Sequence, residues 1–348
     1  MDPPLHDWTR LARLHDALAA LSDVPRHRDY LLRTWVQALP LARGRRQVEN
    51  FLPLRARQGW PALQERLEGL ATLHSAHEAQ DGSQRLLVRL HDGQAVESVL
   101  LPRGGLCVST QVGCAVGCVF CRTGRDGLQR QLGSAEIVAQ VVLARRRRAV
   151  DKVVFMGMGE PAHNLEAVLE AIGLLGTAGA IAHKNLVFST VGDPRVFARL
   201  AAGPVKPALA LSLHSTDDAE RARLLPRAPR IGVAELVDAA DRYARDTGYP
   251  LQVQWTLIEG LNDRDEDVEA LARLVRGRHA MVNLIPLNTV DGSGLRRPAA
   301  LRAAEMARAL NRRGVLTRLR QSAGQDVEGG CGQLRSRFPV RVQAAGTA

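Results

Sequence analysis

From Leu106 to the C-terminal region, short apolar runs alternate with amphipathic stretches, and this rhythm restricts the fold more than any other feature. LCVSTQ (106–111), KVVFM (152–156), NLVFS (185–189), ALALSL (208–213), LQVQWTLI (251–258), MVNLIPL (281–287) and GVLTRL (314–319) have the length and character of strands. Helical patterns fall between them at about 134–149, 164–177, 233–246, 264–277 and 298–313. In SAEIVAQVVLARRRRA, Ser134 reads as an N-cap, with Ile137, Val138, Val141 and Val142 on one face. Repeated βα units require a parallel sheet covered by helices, barrel-like or doubly wound. The fold class is α/β.

Upstream, the periodicity of Trp8, Leu11, Leu14, Leu18 and Leu21, then Leu31, Trp35 and Leu39, predicts helix over residues 1 to about 80. Asp81-Gly82 interrupts it. RLLVRLHDGQAVESVLLP then reads as two strands, about 85–90 and 95–101, turning at Asp92-Gly93. The expected division is a small helical accessory domain at 1–82, a catalytic domain at 83–336 and a frayed tail at 337–348. With 348 residues, 45% hydrophobic and 24% charged, the chain can bury a core without disulfides and is not disordered. No stretch of about 18 apolar residues argues for a membrane span. The start has no basic segment leading into an apolar block, so no signal peptide is expected.

Charge is a weaker guide. Lys and Arg number 47 against 36 Asp and Glu, leaving +11, and only Lys152, Lys184 and Lys206 are lysines. The excess suggests a polyanionic partner, nucleic acid first. An arginine-for-lysine skew also follows from genomic base composition.

The cysteines are specific. Cys107, Cys114, Cys118 and Cys121 crowd one stretch and Cys331 stands alone near the C-terminus. An odd count argues against a disulfide framework and for a reducing, cytoplasmic compartment. Cys114-Ala-Val-Gly-Cys118-Val-Phe-Cys121, spaced C-x3-C-x2-C after a strand, can hold three corners of a 4Fe–4S cluster. The fourth iron then stays open to a chelating ligand such as the amino and carboxylate groups of S-adenosylmethionine (SAM), with Phe120 shielding the cluster. A structural zinc site is the competing reading, but it usually uses C-x2-C pairs.

Context favours iron–sulfur. Gly157-Met158-Gly159-Glu160-Pro161 is a glycine-rich turn at a strand C-terminus, the end where ligands gather in parallel α/β architectures. Ser189, then Ser212-Leu213-His214, and later Asn288 add polar groups at successive strand ends. Any one alone reads as a cap or core residue. Together they outline a ligand-binding rim.

The ordered runs LCVSTQVGCAVGCVFCRTG, FMGMGEP, VFSTVGD, LALSLHSTDD, NLIPLN and GQDVEGGCGQL, spanning about residues 85–336, resemble the RlmN/Cfr group of radical-SAM adenine-C methyltransferases acting on RNA. The resemblance implies a partial (β/α) radical-SAM barrel carrying one 4Fe–4S cluster and using SAM. Cys114, Cys118 and Cys121 match the cluster ligands, and Gly159, Glu160, Ser189, Ser212, Leu213, His214 and Asn288 match SAM-binding positions. Cys331 matches the cysteine that becomes S-methylated, Cys107 its resolving partner, and Glu97 a proton acceptor. Implied partners are large-subunit rRNA or tRNA and a low-potential donor such as flavodoxin or ferredoxin, with a monomeric enzyme expected.

C2 or C8 of adenine is electron-poor, so direct displacement on SAM fails there and a covalent relay is needed. In the implied relay Cys331 takes a methyl group from one SAM. A deoxyadenosyl radical from a second SAM activates that group for addition to the base. Glu97 takes the ring proton, and Cys107 attacks Cys331 to release product as a disulfide, which reduction resets. Glycines 329, 330 and 332 are read as giving the Cys331 loop room to move. The sequence departs from the group with Gly329-Gly330 where alanines are usual, and with LNTVDGSGLRR lacking the usual tryptophan and proline.

Smaller signals have ordinary readings. Arg145–Arg148 suit a helix C-terminus on a solvated face as well as RNA phosphates, whereas Arg122 and Arg125, beside the cluster loop, are better placed for RNA. Trp8, Trp35 and Trp60 read as core. Two other functions fit parts of the pattern: a radical-SAM enzyme on another substrate, and a zinc-stabilised RNA-binding protein.

Overall fold

The computed structural model describes residues 5–44, 47–290 and 292–335. The expected tail at 337–348 lies outside them. Four helices lead, α1 Leu11–Leu21, α2 Pro25–Val36, α3 Val48–Phe51 and α4 Leu54–Gly69. Strands β1 Ala71–Glu78, β2 Gln84–Leu90, β3 Ala95–Leu100 and β4 Gly105–Cys107 follow, then a small hairpin of β5 Gln111–Gly113 and β6 Leu128–Gln131. The remainder alternates: α5 Ser134–Arg145, β7 Lys152–Phe155, α6 Leu165–Gly176, β8 Leu186–Thr190, α7 Pro194–Ala202, β9 Ala208–Ser212, α8 Asp218–Leu224 and α9 Val233–Thr247. It closes with β10 Leu251–Leu257, α10 Asp265–Val275, β11 Ala280–Pro286, α11 Ala300–Arg312 and β12 Thr317–Leu319.

Among the described residues one ten-stranded sheet runs β1-β2-β3-β4-β7-β8-β9-β10-β11-β12. The first four strands pair antiparallel, and β4 and β7 to β12 pair in parallel. β1 and β12 are unpaired edges, so the barrel is partial, as expected. Alternation along the strands separates two faces. Val153, Phe155, Val253, Trp255, Leu257, Val282 and Leu284 join the large core under the helices. Val154, Val187, Ala208 and Ala210 form a second apolar patch with Cys107 on the opposite, concave face.

The β2–β3 hairpin lies where Asp92-Gly93 predicts it. The helical reading to residue 80 is corrected, because residues 71–78 form β1, paired antiparallel with β2. ATLHSAHE has one β-branched residue and no clean alternation. Its strand state comes from the neighbouring edge, not from local preference. The Ser134 N-cap is also corrected. Gly133 holds that position in extended backbone, and Glu136 Oε2 accepts its N–H at 2.8 Å. The Ser134 hydroxyl donates to Glu170 Oε2 at 2.6 Å and accepts the Leu11 N–H at 3.0 Å.

The leading helices share the large core with α5. Trp8, Trp35 and Trp60 are 4%, 3% and 2% exposed, so none offers a ring face to a base. The Arg145–Arg148 run closes α5, as read, with Arg146 and Arg147 exposed, but it also makes contacts within the fold. Arg145 donates to the carbonyls of Val36 (2.9 Å) and Gly179 (2.8 Å), Arg146 meets Glu68 at 2.6 Å, and Arg148 reaches the Gly82 carbonyl at 3.0 Å. These arginines tie the helical part and the first hairpin to α5. No helix among the described residues is long and apolar enough to cross a membrane.

Candidate active site

The β5–β6 hairpin presents Cys114, Cys118 and Cys121. Gly113, just before them, has φ +78°, and a Cβ there would sit 2.0 Å from the Gly127 carbonyl oxygen. Only glycine lets the two strands approach so closely. Gly113→Ala is expected to shift the loop, cost roughly 3 kcal/mol and sharply reduce iron bound per chain. Unchanged iron content and urea midpoint would show that the loop tolerates the shift.

The three thiols lie near enough to interact electrostatically, inside a shell of Val116, Phe120, Val191, Leu224, Leu225, Ile258 and Leu287. Burial pushes the Cys114 thiol up to about 12, and Cys118 is raised by burial and by its cysteine neighbours. Thiolates here therefore need a compensating cation. Among the described residues no three His, Cys, Asp or Glu side chains converge on one ion position. A cuboidal cluster asks for wider spacing, because each thiolate takes its own iron. These residues fit such a cluster.

The rim assembles around that shell. Glu160 follows β7. Its oxygens accept the N–H groups of Ala162 and Val191, each at 3.0 Å, and burial holds its pKa above the usual range. Ser189 lies in β8 and is 9% exposed, Ser212 ends β9, and Leu213 is fully buried. Gly159 has φ +107°, and a Cβ there would meet the Gln111 side chain at 2.7 Å. Asn288, beyond β11, donates from Nδ2 to the Cys331 carbonyl at 2.9 Å and to Ser322 Oγ at 2.8 Å. Its Oδ1 is buried without a partner, an acceptor fit for an N–H or O–H of a bound cofactor.

His214 sits at φ +64° with its ring edge-on to Phe120, centroids 4.8 Å apart. Its Nδ1 accepts the Thr256 N–H at 2.9 Å, so the ring is neutral with its proton on Nε2. Burial and the Arg221 guanidinium push its pKa down to about 3 from an ordinary 6.5. Between those values the unfolded chain binds the extra proton, so stability falls as pH drops, by about 1.4 kcal/mol per pH unit. Urea midpoints from pH 7 to 4 should show this slope, and His214→Asn should flatten it.

Two arginines were not singled out in the sequence, where nothing distinguishes them from the other arginines. Arg221 of α8 is 4% exposed, reaches the carbonyls of Val191 and Ser212, and lies within electrostatic range of Cys118 and Glu160. Arg85 of β2 pairs with Glu97 at 2.5 Å, both buried. Arg85 Nε also donates to the Val327 carbonyl at 2.5 Å, and Glu97 Oε2 accepts the Arg335 N–H at 2.9 Å. This ion pair grips both flanks of the segment carrying Cys331.

Other bonds fix the same segment. Arg122 N–H donates to the Gly332 carbonyl at 2.7 Å, and Thr123 Oγ1 to the Leu334 carbonyl at 2.6 Å. Gly332 has φ +82°, and a Cβ on Gly330 would meet Gln333 and Asn288 within 2.8 Å. Close packing, more than freedom of movement, requires these glycines. Arg122, expected beside the RNA, faces Glu328 at 3.5 Å. Cys331 is solvent-exposed on this segment and lies within electrostatic range of both Cys107 and Cys121. All five cysteines are free thiols.

A partial barrel with three clustered thiols at the strand C-termini and two further cysteines beside them defines a radical-SAM catalytic site. A family model described as the Radical SAM superfamily matches residues 108–275. A probable RNA methyltransferase of Methylibium petroleiphilum is 67% identical over 328 residues, covering 94% of this chain and 93% of its own. One of Pseudomonas aeruginosa is 63% identical over 326 residues, covering 93% and 94%. The crystal structure of a radical SAM methyltransferase from Sphaerobacter thermophilus superposes with a TM-score of 0.79 at 36% identity, covering 94% of this chain and 97% of that one. The chain belongs to the radical SAM superfamily and, within it, to the family of radical SAM methyltransferases that these relatives represent. It is an enzyme of that class, and the family implies a 4Fe–4S cluster and SAM.

Proposed function

We propose that this enzyme methylates an adenine carbon, C2 or C8, of large-subunit rRNA or tRNA, as the resemblance to the RlmN/Cfr group implies. The observation that carries the reading is the convergence of Cys331 with Cys107 and Cys121, which lie more than 200 residues earlier in the chain. An ordinary methyltransferase needs no such pair, whereas a covalent relay needs both a carrier and a resolving thiol beside the radical source. The relatives' names supply RNA as the substrate class.

When bound, the cluster and SAM supply one-electron cleavage of the sulfonium and hence a radical able to activate a methyl group. Cys114, Cys118 and Cys121 would hold the cluster. Gly159, Glu160, Ser189, Ser212, Leu213, His214 and Asn288 would line the SAM site. Cys331, its thiol proton passing to solvent, would accept a methyl group from SAM, the thioether S-adenosylhomocysteine being released. Asn288, Arg85 and Glu97 hold the carrier loop over the barrel. The Glu97 carboxylate takes the ring proton once its bond to the Arg335 N–H opens. Cys107 then attacks the Cys331 sulfur, and the S–S bond forms as the S–C bond to product breaks, its electron pair staying on the product carbon, which takes a proton from solvent. Two electrons and two protons, the electrons from a donor such as flavodoxin or ferredoxin, return the disulfide to thiols. The helices before β1 serve as an accessory RNA-binding part.

Mass spectrometry of RNA nucleosides from cells with and without the gene tests this reading. One methyladenosine species should disappear with the gene, and an unchanged nucleoside profile refutes the assignment to RNA.

A further inference from the structure

The concave face carries polar groups that neither the cluster nor the SAM positions use. Gln254, Asn283 and Arg318 are register partners across β10 to β12, so their side chains share one face of the sheet, next to Ser212 of the SAM rim on β9. It is the concave one, because Val282 and Leu284 flank Asn283 and point into the helix-side core. Asn283 is 1% exposed, yet both its Oδ1 and its Nδ2 are buried without a hydrogen-bond partner. Such an amide is costly unless something else satisfies it.

A second observation lies beside it. Lys152 opens β7 on the same face as Val154, and although β12 is five strands away in the sheet, Arg318 and Arg320 come within electrostatic range of Lys152. Arg318 and Arg320 are exposed. Asp151 is the acid that offsets Lys152. Arg320 also acts electrostatically on Cys331. The cation group therefore borders the cysteine pair.

We propose that Lys152, Arg318 and Arg320, with the amide of Asn283, form the subsite that holds the target nucleotide: the cations take its backbone phosphate and the amide takes its base edge. This rests on the reading of the enzyme as an RNA methyltransferase. Two guanidinium groups and an ammonium suit a phosphodiester, which SAM lacks. A planar amide with one donor and one acceptor matches the paired acceptor and donor on an adenine edge. SAM also carries an adenine, so the amide is the part whose ligand has two sources. Neighbouring strands lie about 4.8 Å apart, so a base at Asn283 and a phosphate at Arg318 are spaced as within one nucleotide.

The test is salt-dependent binding of protein-free large-subunit rRNA and of unfractionated tRNA to the cluster-loaded enzyme, with SAM binding measured in parallel. The triple variant Lys152→Gln, Arg318→Gln, Arg320→Gln should bind RNA at least about tenfold more weakly and flatten the log–log salt slope by roughly 2. Arg276→Gln, at the far end of α10, should do neither. Asn283→Ala should weaken RNA binding several-fold with the slope unchanged, because an amide releases no counterions. All variants should keep wild-type iron content and SAM affinity. An unchanged slope in the triple variant overturns the phosphate site. Weakened SAM binding by Asn283→Ala with RNA affinity intact overturns the assignment of the amide to RNA. Wild-type enzyme that binds RNA with the expected slope but methylates none would instead sink the methyltransferase reading and leave the nucleotide subsite standing.

Discussion

Cys118→Ala is expected to give a colourless protein that cleaves no SAM. Wild-type protein purified without oxygen should be brown and hold about four irons and four sulfides per chain. Cys118 lies between its two partners in sequence and interacts with both. Its loss leaves two thiols for a cluster that needs three protein corners. The immediate shell is apolar, with Val116, Phe120, Val191 and Leu224 around the thiols. With dithionite and SAM, wild type should release 5′-deoxyadenosine and the variant none. A full complement of iron and sulfide in Cys118→Ala would reject the ligand assignment.

The second large effect separates the remaining cysteines. Cys107→Ala should keep its cluster and accept a methyl group on Cys331, then stall with RNA attached through that sulfur. Cys107 acts only after the carbon–carbon bond has formed, so its removal blocks release and nothing earlier. Denaturing gels of the variant with SAM, reductant and RNA should show a shifted band, which ribonuclease trims to protein bearing one modified nucleotide. Cys331→Ala should form no such adduct. Burial and the nearby Cys331 raise the Cys107 thiol well above its ordinary range. The attacking thiolate is therefore scarce at neutral pH, and release in wild type should quicken as pH rises. Normal turnover by Cys107→Ala would reduce that residue to a half-buried strand cysteine.

Much of the parallel sheet is legible in the sequence because its strands are continuous apolar runs bounded by turns. KVVFM and MVNLIPL carry their strand character wherever they are placed. α7 has its start written locally: Asp193-Pro194 is an N-cap followed by proline in the first turn, and Asp193 accepts the Arg195 N–H at 2.9 Å. β1 carried none, since its pairing partner alone makes it a strand. Likewise Arg145 reads as a surface cation by position, and only the docking of α2 against α5 turns it inward.

By itself the sequence determined what depends on neighbours along the chain. C-x3-C-x2-C brings three thiols onto one loop whatever surrounds it, and the βα rhythm dictates a parallel sheet with its rim at the strand C-termini. The tertiary structure decided what depends on how that sheet curls. Curvature brings Arg318 and Arg320 of the β12 edge back toward Lys152 of β7. The Arg85–Glu97 pair, buried in the first hairpin, fastens a segment more than 200 residues away and so sets Cys331 beside Cys107. No local pattern encodes such contacts, because they join residues whose separation in sequence is bridged only once the intervening strands have paired.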